Sequence, residues 1–431
     1  MDLRKGLRVA SLLVSGLVSV ASAGGQQEVN PTFLAEIARI RAIDNHSHGT
    51  PVSAPGDEPQ DPIGNSPFAY PLRLRLDSPE YADAWAALWG HTPVGTDQAR
   101  AALRAKWRVR REKAEAYPSW VLDQAGIELA LINADRLGPG QVPPRFRWVP
   151  LADELLLPVQ NQRSRFRQIL AESELNAPPG TLGQYTSQVL TPTLARWKLA
   201  GAVAIKLAVA YRRPLDFAMV TPDDADRVYA SVIAGTAATA AEHKTLQDHL
   251  FRLLCAEAGR LGLIVHIHTG VGADPYFNLA GSRPSLLEPT LNDPALRQTR
   301  FVLVHGGWPF ERETGVMLMK PNVYVDFSAQ TFLRSTQALA ETLRAWLEWY
   351  PEKVLFGTDA YSEELMGVTA PLAGWEEKTW LAARTSREAL ALALTRMIRD
   401  GQITRGRALE LARLVLRGNA ERLYELAPRG K

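Results

Sequence analysis

The chain has 431 residues, 22% of them charged, a formal net charge of +3 and a single cysteine, Cys255. That balance supplies no electrostatic footprint for nucleic acid, and one cysteine excludes an intrachain disulfide, so stability rests on core burial. The length accommodates one α/β barrel with insertions, and no Ser/Gly linker, low-complexity tract or short repeat divides it.

Arg4, Lys5 and Arg8 precede an apolar run from Val9 to Val20, and Ala21-Ser22-Ala23 has the small-x-small pattern of a signal-peptidase site. The run is shorter than the ~20 residues of a membrane-spanning helix. The expectation is a signal peptide over 1–23, export to a periplasmic or extracellular space, and no stable membrane span after cleavage. An uncleaved amphipathic anchor is the alternative. Cleavage removes three basic residues and one acid, leaving residues 24–431 with a net charge of +1. Cys255 lies far from that site, in FRLLCAEAGRL, and reads as a small core residue.

Strand-length apolar runs then recur between helical patterns, at Ala42–Asn45, Glu128–Ile132, Phe146–Leu151, Ala202–Leu207, Leu263–His268, Phe301–Val304, Val323–Asp326 and Val354–Gly357. Eight strands separated by helix-length segments predict an α/β fold, a distorted (β/α)8 TIM barrel with its chemistry at the strand C-terminal ends. The gap after strand one, residues 49–126, exceeds a plain βα loop and predicts a helical insertion forming a wall or lid. It opens with a Pro-rich stretch at 51–62 and continues in helical patterns around Glu80–Trp89 and Asp97–Ala116. Its tryptophans, Trp85, Trp89, Trp107 and Trp120, are expected to pack the insertion onto the barrel rather than to touch substrate. Arg100 to Arg111 alternates with Ala, Leu and Trp at helical spacing and reads as a solvated helix face. Helices at Ser386–Arg399 and Thr404–Leu426, within a C-terminal region 386–431, are expected to cap the barrel.

Five of the eight histidines fall at the ends of these runs. His46 and His48 are two apart on an extended segment and so face one way, which suits a borderline ion such as zinc. His268, followed by Thr-Gly, is assigned to the metal, and His266, one layer lower, to the core. His305 ends FVLVHGG, where two glycines permit close backbone approach. Asp359 ends VLFGTDA and can both ligate an ion and accept a proton from water, whose pKa metal binding brings toward ~7. Lys206 ends AVAIK. A lysine there must pair with a carboxylate, lose its charge or be modified; carbamylation would make it a carboxylate bridging two ions, and a plain lysine facing an anionic substrate or an aspartate is the alternative.

The ordered set DNHSH, AIKLAVAYRRPLDF, IVHIHTGVG, FVLVHGGWPF, NVYVDFS, VLFGTDAYS and GNAERLYEL, from Ile43 to Leu426, resembles the amidohydrolase superfamily. Within it the chain is most similar to the amidohydrolase-related group that includes the barrel domain of FluG-type proteins. The resemblance implies one or two divalent ions. In two-ion members the equivalents of His46, His48, Lys206 and Asp359 hold one, and those of Lys206, His268 and His305 the other. In one-ion members the ligands correspond to His46, His48, His268 and Asp359, with His305 acting on water. Tyr211 and Arg212 match a pair typical of the FluG-like group; the guanidinium either clamps a substrate carboxylate or forms a salt bridge from the loop. Trp308 is expected to seal its loop.

Three functions follow as expectations. The first is a hydrolase of a C–N or C–O bond in a small molecule, carboxylate-bearing if Arg212 contacts it, with Asp359 and His305 as catalytic groups. A one-ion lyase such as a decarboxylase uses the same ligands. A noncatalytic binding protein has no need of an acid-base Asp beside an open ligand position. No nucleic-acid partner is expected, and self-association is left open.

Overall fold

Each apolar run forms a strand: β1 Ala42–His48, β2 Ile127–Asn133, β3 Phe146–Val149, β4 Ala204–Leu207, β5 Ile264–His268, β6 Phe301–Val304, β7 Val323–Asp326 and β8 Val354–Leu355. The computed structural model describes residues 28–49, 71–92, 96–273, 276–362 and 374–426, apart from 76, 160 and 162. The leader at 1–23 and the Pro-rich stretch at 51–62 lie outside the described residues.

All strand pairs are parallel and sequential, β1 to β3 in one ladder and β4 to β8 in another. Two parallel bridges, Trp148 with Ala202 and Leu151 with Lys206, join β3 to β4. On the other side Asn45 donates to the Phe356 carbonyl at 2.9 Å and His48 to that of Ala360 at 2.9 Å. These bonds close the ring, giving a distorted TIM barrel. Its interior is filled by Ile43, Leu129, Leu131, Val149, Ala204, Ile264, Val302, Val304 and Leu355, with Leu423 and Tyr424 packed beneath. The larger outer core lies between strands and surrounding helices.

The last strand is shorter than Val354–Gly357, because Phe356 already gives its amide to the Val415 carbonyl. The C-terminal helices also differ from expectation. The first runs from Trp375 to Arg399, eleven residues earlier than Ser386, and the second breaks into Arg405–Arg413, a π turn at Leu414–Gly418 and Asn419–Leu423. The early turns were hidden by polarity: Glu376, Glu377, Lys378 and Thr379 are all fully buried.

The partners of Glu376 and Glu377 come from the insertion, whose helices span Pro79–Trp89, Thr96–Lys113 and Tyr117–Gln124. Lys106 Nζ lies 2.9 Å from carboxylate oxygens of both Glu376 and Glu377, and Arg110 Nη2 lies 2.8 Å from Glu376 Oε1. Tyr117 Oη also donates to Glu376. Reading Arg100 to Arg111 as a solvated face was therefore wrong at two positions: Lys106 and Arg110 are buried, facing carboxylates supplied from the far end of the chain. Trp85, Trp89 and Trp120 pack as expected. Trp85 and Trp89 are buried, Trp89 donates to Glu377 Oε1 at 2.7 Å, and Trp120 lies against the rings of Trp89 and Tyr117.

Candidate metal centre

The strand ends converge on one carboxylate. His46 Nε2 lies 3.2 Å and His48 Nε2 3.1 Å from Asp359 Oδ1, and potential ligand atoms of the three residues all fall within 4.8 Å of one another. The His46 side chain is fully buried while that of His48 is 31% exposed, so the cluster opens on the His48 side. Backbone shape supports the convergence. His305, Ala329 and Asp359, beyond β6, β7 and β8, have φ of 68°, 59° and 56°, a region costing non-glycine residues on the order of 1–3 kcal/mol each. Specific bonds hold two of them: the Asp359 amide donates to the His46 carbonyl at 2.7 Å and the His305 amide to Asp326 Oδ1 at 3.0 Å. Thr358 anchors the last loop by donating its hydroxyl and amide to the Asp44 carboxylate, at 2.6 and 2.9 Å.

Lys206 lies next to the end of β4 with Nζ 3.2 Å from His46 Nε2. Burial pushes its pKa down to about 8, with Asp359, Asp326 and Asp153 pulling the other way. The ring of His268 packs 4.7 Å from that of His305, and its Nε2 is buried with no hydrogen-bond partner. His305 Nδ1 meets Ser328 Oγ at 2.9 Å. Burial lowers the pKa of His46, His268 and His305, the last to about 4, which keeps these rings neutral, the form that ligates. For Asp359 burial acts upward, but His305, His46 and His48 outweigh it and hold the carboxyl well below its usual range. His266 sits one layer down, its Nε2 2.6 Å from Tyr424 Oη.

This donor set fits a divalent ion. Two imidazoles and a carboxylate meet within 4.8 Å, and a partnerless buried ring nitrogen, that of His268, is costly unless something else takes its lone pair. Tyr211 borders the cluster, its ring 4.7 Å from that of His268 and its hydroxyl accepting from the Ala273 amide at 3.0 Å. Arg212 instead donates to Glu154 Oε1 at 3.0 Å, an acid also bonded by Arg163 and Asn161. The Trp308 ring lies near the Arg334 guanidinium, 5.9 Å from its centroid.

Sequence reading missed four supporting residues. Asn133 ends β2 and contacts His46 Nδ1 at 3.0 Å. Asp326 ends β7 and accepts from Asn45 Nδ2 at 2.8 Å as well as from the amides of His305 and Ser328. Asp153, past β3, accepts from the Ala208 amide at 3.0 Å. Trp375 donates to Ser47 Oγ at 3.1 Å, between the two β1 histidines. The signal for the first two was available: like the ligands, each is a polar residue closing an apolar run.

Residues 194–426, more than half the chain, match the amidohydrolase family Amidohydro_2. The chain belongs to the amidohydrolase family. Over 237 residues it is 31% identical to the FluG protein of Emericella nidulans, a stretch that is 52% of this chain and 26% of that protein, so the two share about a quarter of the relative's length. Among solved structures, the uronate isomerase of Thermotoga maritima is similar at a TM-score of 0.63 and 15% identity, covering 94% of this chain and all of the other. The glucuronate isomerase of Caulobacter crescentus gives 0.63 and 14%, over 95% and 98%. A candidate metal-dependent hydrolase from Lactobacillus casei gives 0.60 and 14%, over 90% and 96%. At such identities these structures establish the shared barrel fold. No helix among the described residues is long and apolar enough to cross a membrane.

Proposed function

We propose that this amidohydrolase is an exported, metal-dependent hydrolase of a C–N or C–O bond in a small molecule. The observation that carries the reading is the convergence of His46, His48 and Asp359 within 4.8 Å beside the partnerless Nε2 of His268. Export rests on the charged, apolar and small-x-small order of residues 1–23. Such an ion, most simply zinc, supplies Lewis acidity toward a carbonyl and acidifies water. His46, His48, His268 and Asp359 would hold it. Asp359, ionised and facing both His46 and His48, takes the proton of attacking water and delivers it to the leaving group. His305, neutral and tied to Ser328, orients that water and supports the proton transfer.

Lys206 suits a second ion. Its amine, buried and with a pKa lowered to about 8, has a neutral fraction near neutral pH able to add carbon dioxide, and the resulting carbamate would bridge toward His268 and His305. Tyr211 forms part of the substrate wall. With Arg212 paired to Glu154, a substrate carboxylate would have to share or displace that acid, so uncharged amides and lactones are the first substrates to test. A panel of small amides, lactones, esters and carboxylic acids, incubated with the zinc-reconstituted protein and read by mass spectrometry, tests the reading. Water addition abolished by a chelator supports it; loss of carbon dioxide without water addition would replace it with the lyase.

A further inference from the structure

Asn133 stands where the proton on His46 is decided. An ion held by His46 must use Nε2, the atom facing Asp359 and Lys206, so Nδ1 must carry the ring proton and needs an acceptor. The atom presented to Nδ1 is Asn133 Nδ2, at 3.0 Å, and the same nitrogen donates to the Ser47 carbonyl at 3.0 Å. Asn133 Oδ1 is buried without a partner. An amide nitrogen has two protons and can serve both contacts, which makes Nδ1 the acceptor and places the ring proton on Nε2, aimed at the Asp359 carboxylate. Turning the amide by half a revolution puts Oδ1 against Nδ1–H, frees Nε2 and removes the side-chain donor of the Ser47 carbonyl. The first orientation leaves Oδ1 unmet, whereas the turned one sets the Nδ2 protons where Oδ1 has no partner, so it is the less favoured until an ion at Nε2 offsets the loss.

We infer that Asn133 is a positioning residue for His46: the orientation of its amide selects the ring tautomer and so controls whether Nε2 can hold an ion. This rests on the metal-centre reading. Ion uptake at His46 then includes a half-turn of the Asn133 amide, and the strength of that uptake depends on a residue that touches no ion. Partners of this kind change metal affinity by about 10- to 100-fold when replaced.

The test combines zinc affinity, by competition with a chromophoric chelator, with two-bond nitrogen–proton NMR of histidine-labelled protein, the His46 signals being identified by their loss in His46→Gln. The wild type is expected to show His46 as Nε2–H before zinc and Nδ1–H after. Asn133→Leu, which removes the acceptor, is expected to weaken zinc binding about 10- to 100-fold, whereas Asn133→Asp, which can only accept, retains it within about threefold. If Asn133 merely ties β2 to Ser47, both folded variants bind zinc like the wild type, and the inference is overturned. Should Asn133→Leu not fold, the wild-type spectra decide, and an Nδ1–H ring both before and after zinc overturns the switch. Wild type that takes up no zinc refutes the metal centre itself, an outcome distinct from wild-type uptake with indifferent Asn133 variants.

Discussion

Asp359 holds His46 twice: its amide donates to the His46 carbonyl at 2.7 Å, and its carboxylate Oδ1 faces the His46 Nε2 at 3.2 Å. One bond sets the backbone of the last loop against the first strand, and the other sets the chemistry. Residues 313 positions apart in sequence thus form one unit, and the barrel is closed where its reactive groups meet.

The first prediction separates shape from charge at this pair. Asp359→Asn keeps the amide bond and one ligating oxygen but cannot take a proton near neutral pH. It should retain part of the metal and lose ~10²- to 10⁴-fold in kcat, with a smaller change in KM. Steady-state kinetics on whichever substrate the panel yields checks this. Full metal content with kcat above about a tenth of wild type would move the base role to His305.

Lys206→Ala addresses the second ion. If Lys206 bridges as a carbamate, the variant should drop from about two ions per chain toward one, and bicarbonate with a short carboxylic acid should restore part of the loss. A wild type holding one ion, and a variant that keeps it, leaves the one-ion site of His46, His48, His268 and Asp359.

The strand ends were legible because a barrel puts a simple demand on sequence: an apolar run, then a polar side chain. His46, His48, Lys206, His268, His305 and Asp359 all satisfy it. What hid was pairing at a distance. Nothing near Lys106 reveals that Glu377, 271 residues later, neutralises it, so a buried cation looked like a surface one, and the polar opening of its partner helix looked like loop. The alternatives left open for Arg212 turned likewise on Glu154, 58 residues away. Asn133 and Asp326 had the strand-end signal, but asparagine is not a usual metal ligand and Asp326 closes a strand to which the resemblance assigns none, so they drew no role.

Lys106→Met tests the buried network directly. Burial opposes its charge, and Glu376 and Glu377 more than offset this. Removing the cation leaves two carboxylates facing each other in the core with Arg110 paired to Glu376, which should cost on the order of 3–5 kcal/mol. Denaturant unfolding followed by tryptophan fluorescence reads it. A loss below about 1 kcal/mol would show that the network contributes little.

His266 carries a pH signature. Burial lowers its pKa from the usual 6.5 to about 3, so the folded chain favours the neutral ring and the unfolded chain binds the proton first as pH falls. Its contribution is whole above about pH 6.5 and is lost progressively as pH drops toward 3, at up to about 1.4 kcal/mol per pH unit. His266→Gln should therefore flatten the fall in stability between pH 6.5 and 5 by as much as one proton. Parallel stability curves for the two proteins would place the titration elsewhere.

The central claim is that these strand ends hold an ion, and the most direct measurement is the metal content of the chain from residue 24 onward, after zinc reconstitution and removal of excess. The wild type should retain at least about one equivalent per chain, and His46→Ala should fall well below it while remaining folded. Less than about half an equivalent in the folded wild type, or the same content in His46→Ala, would contradict the metal centre.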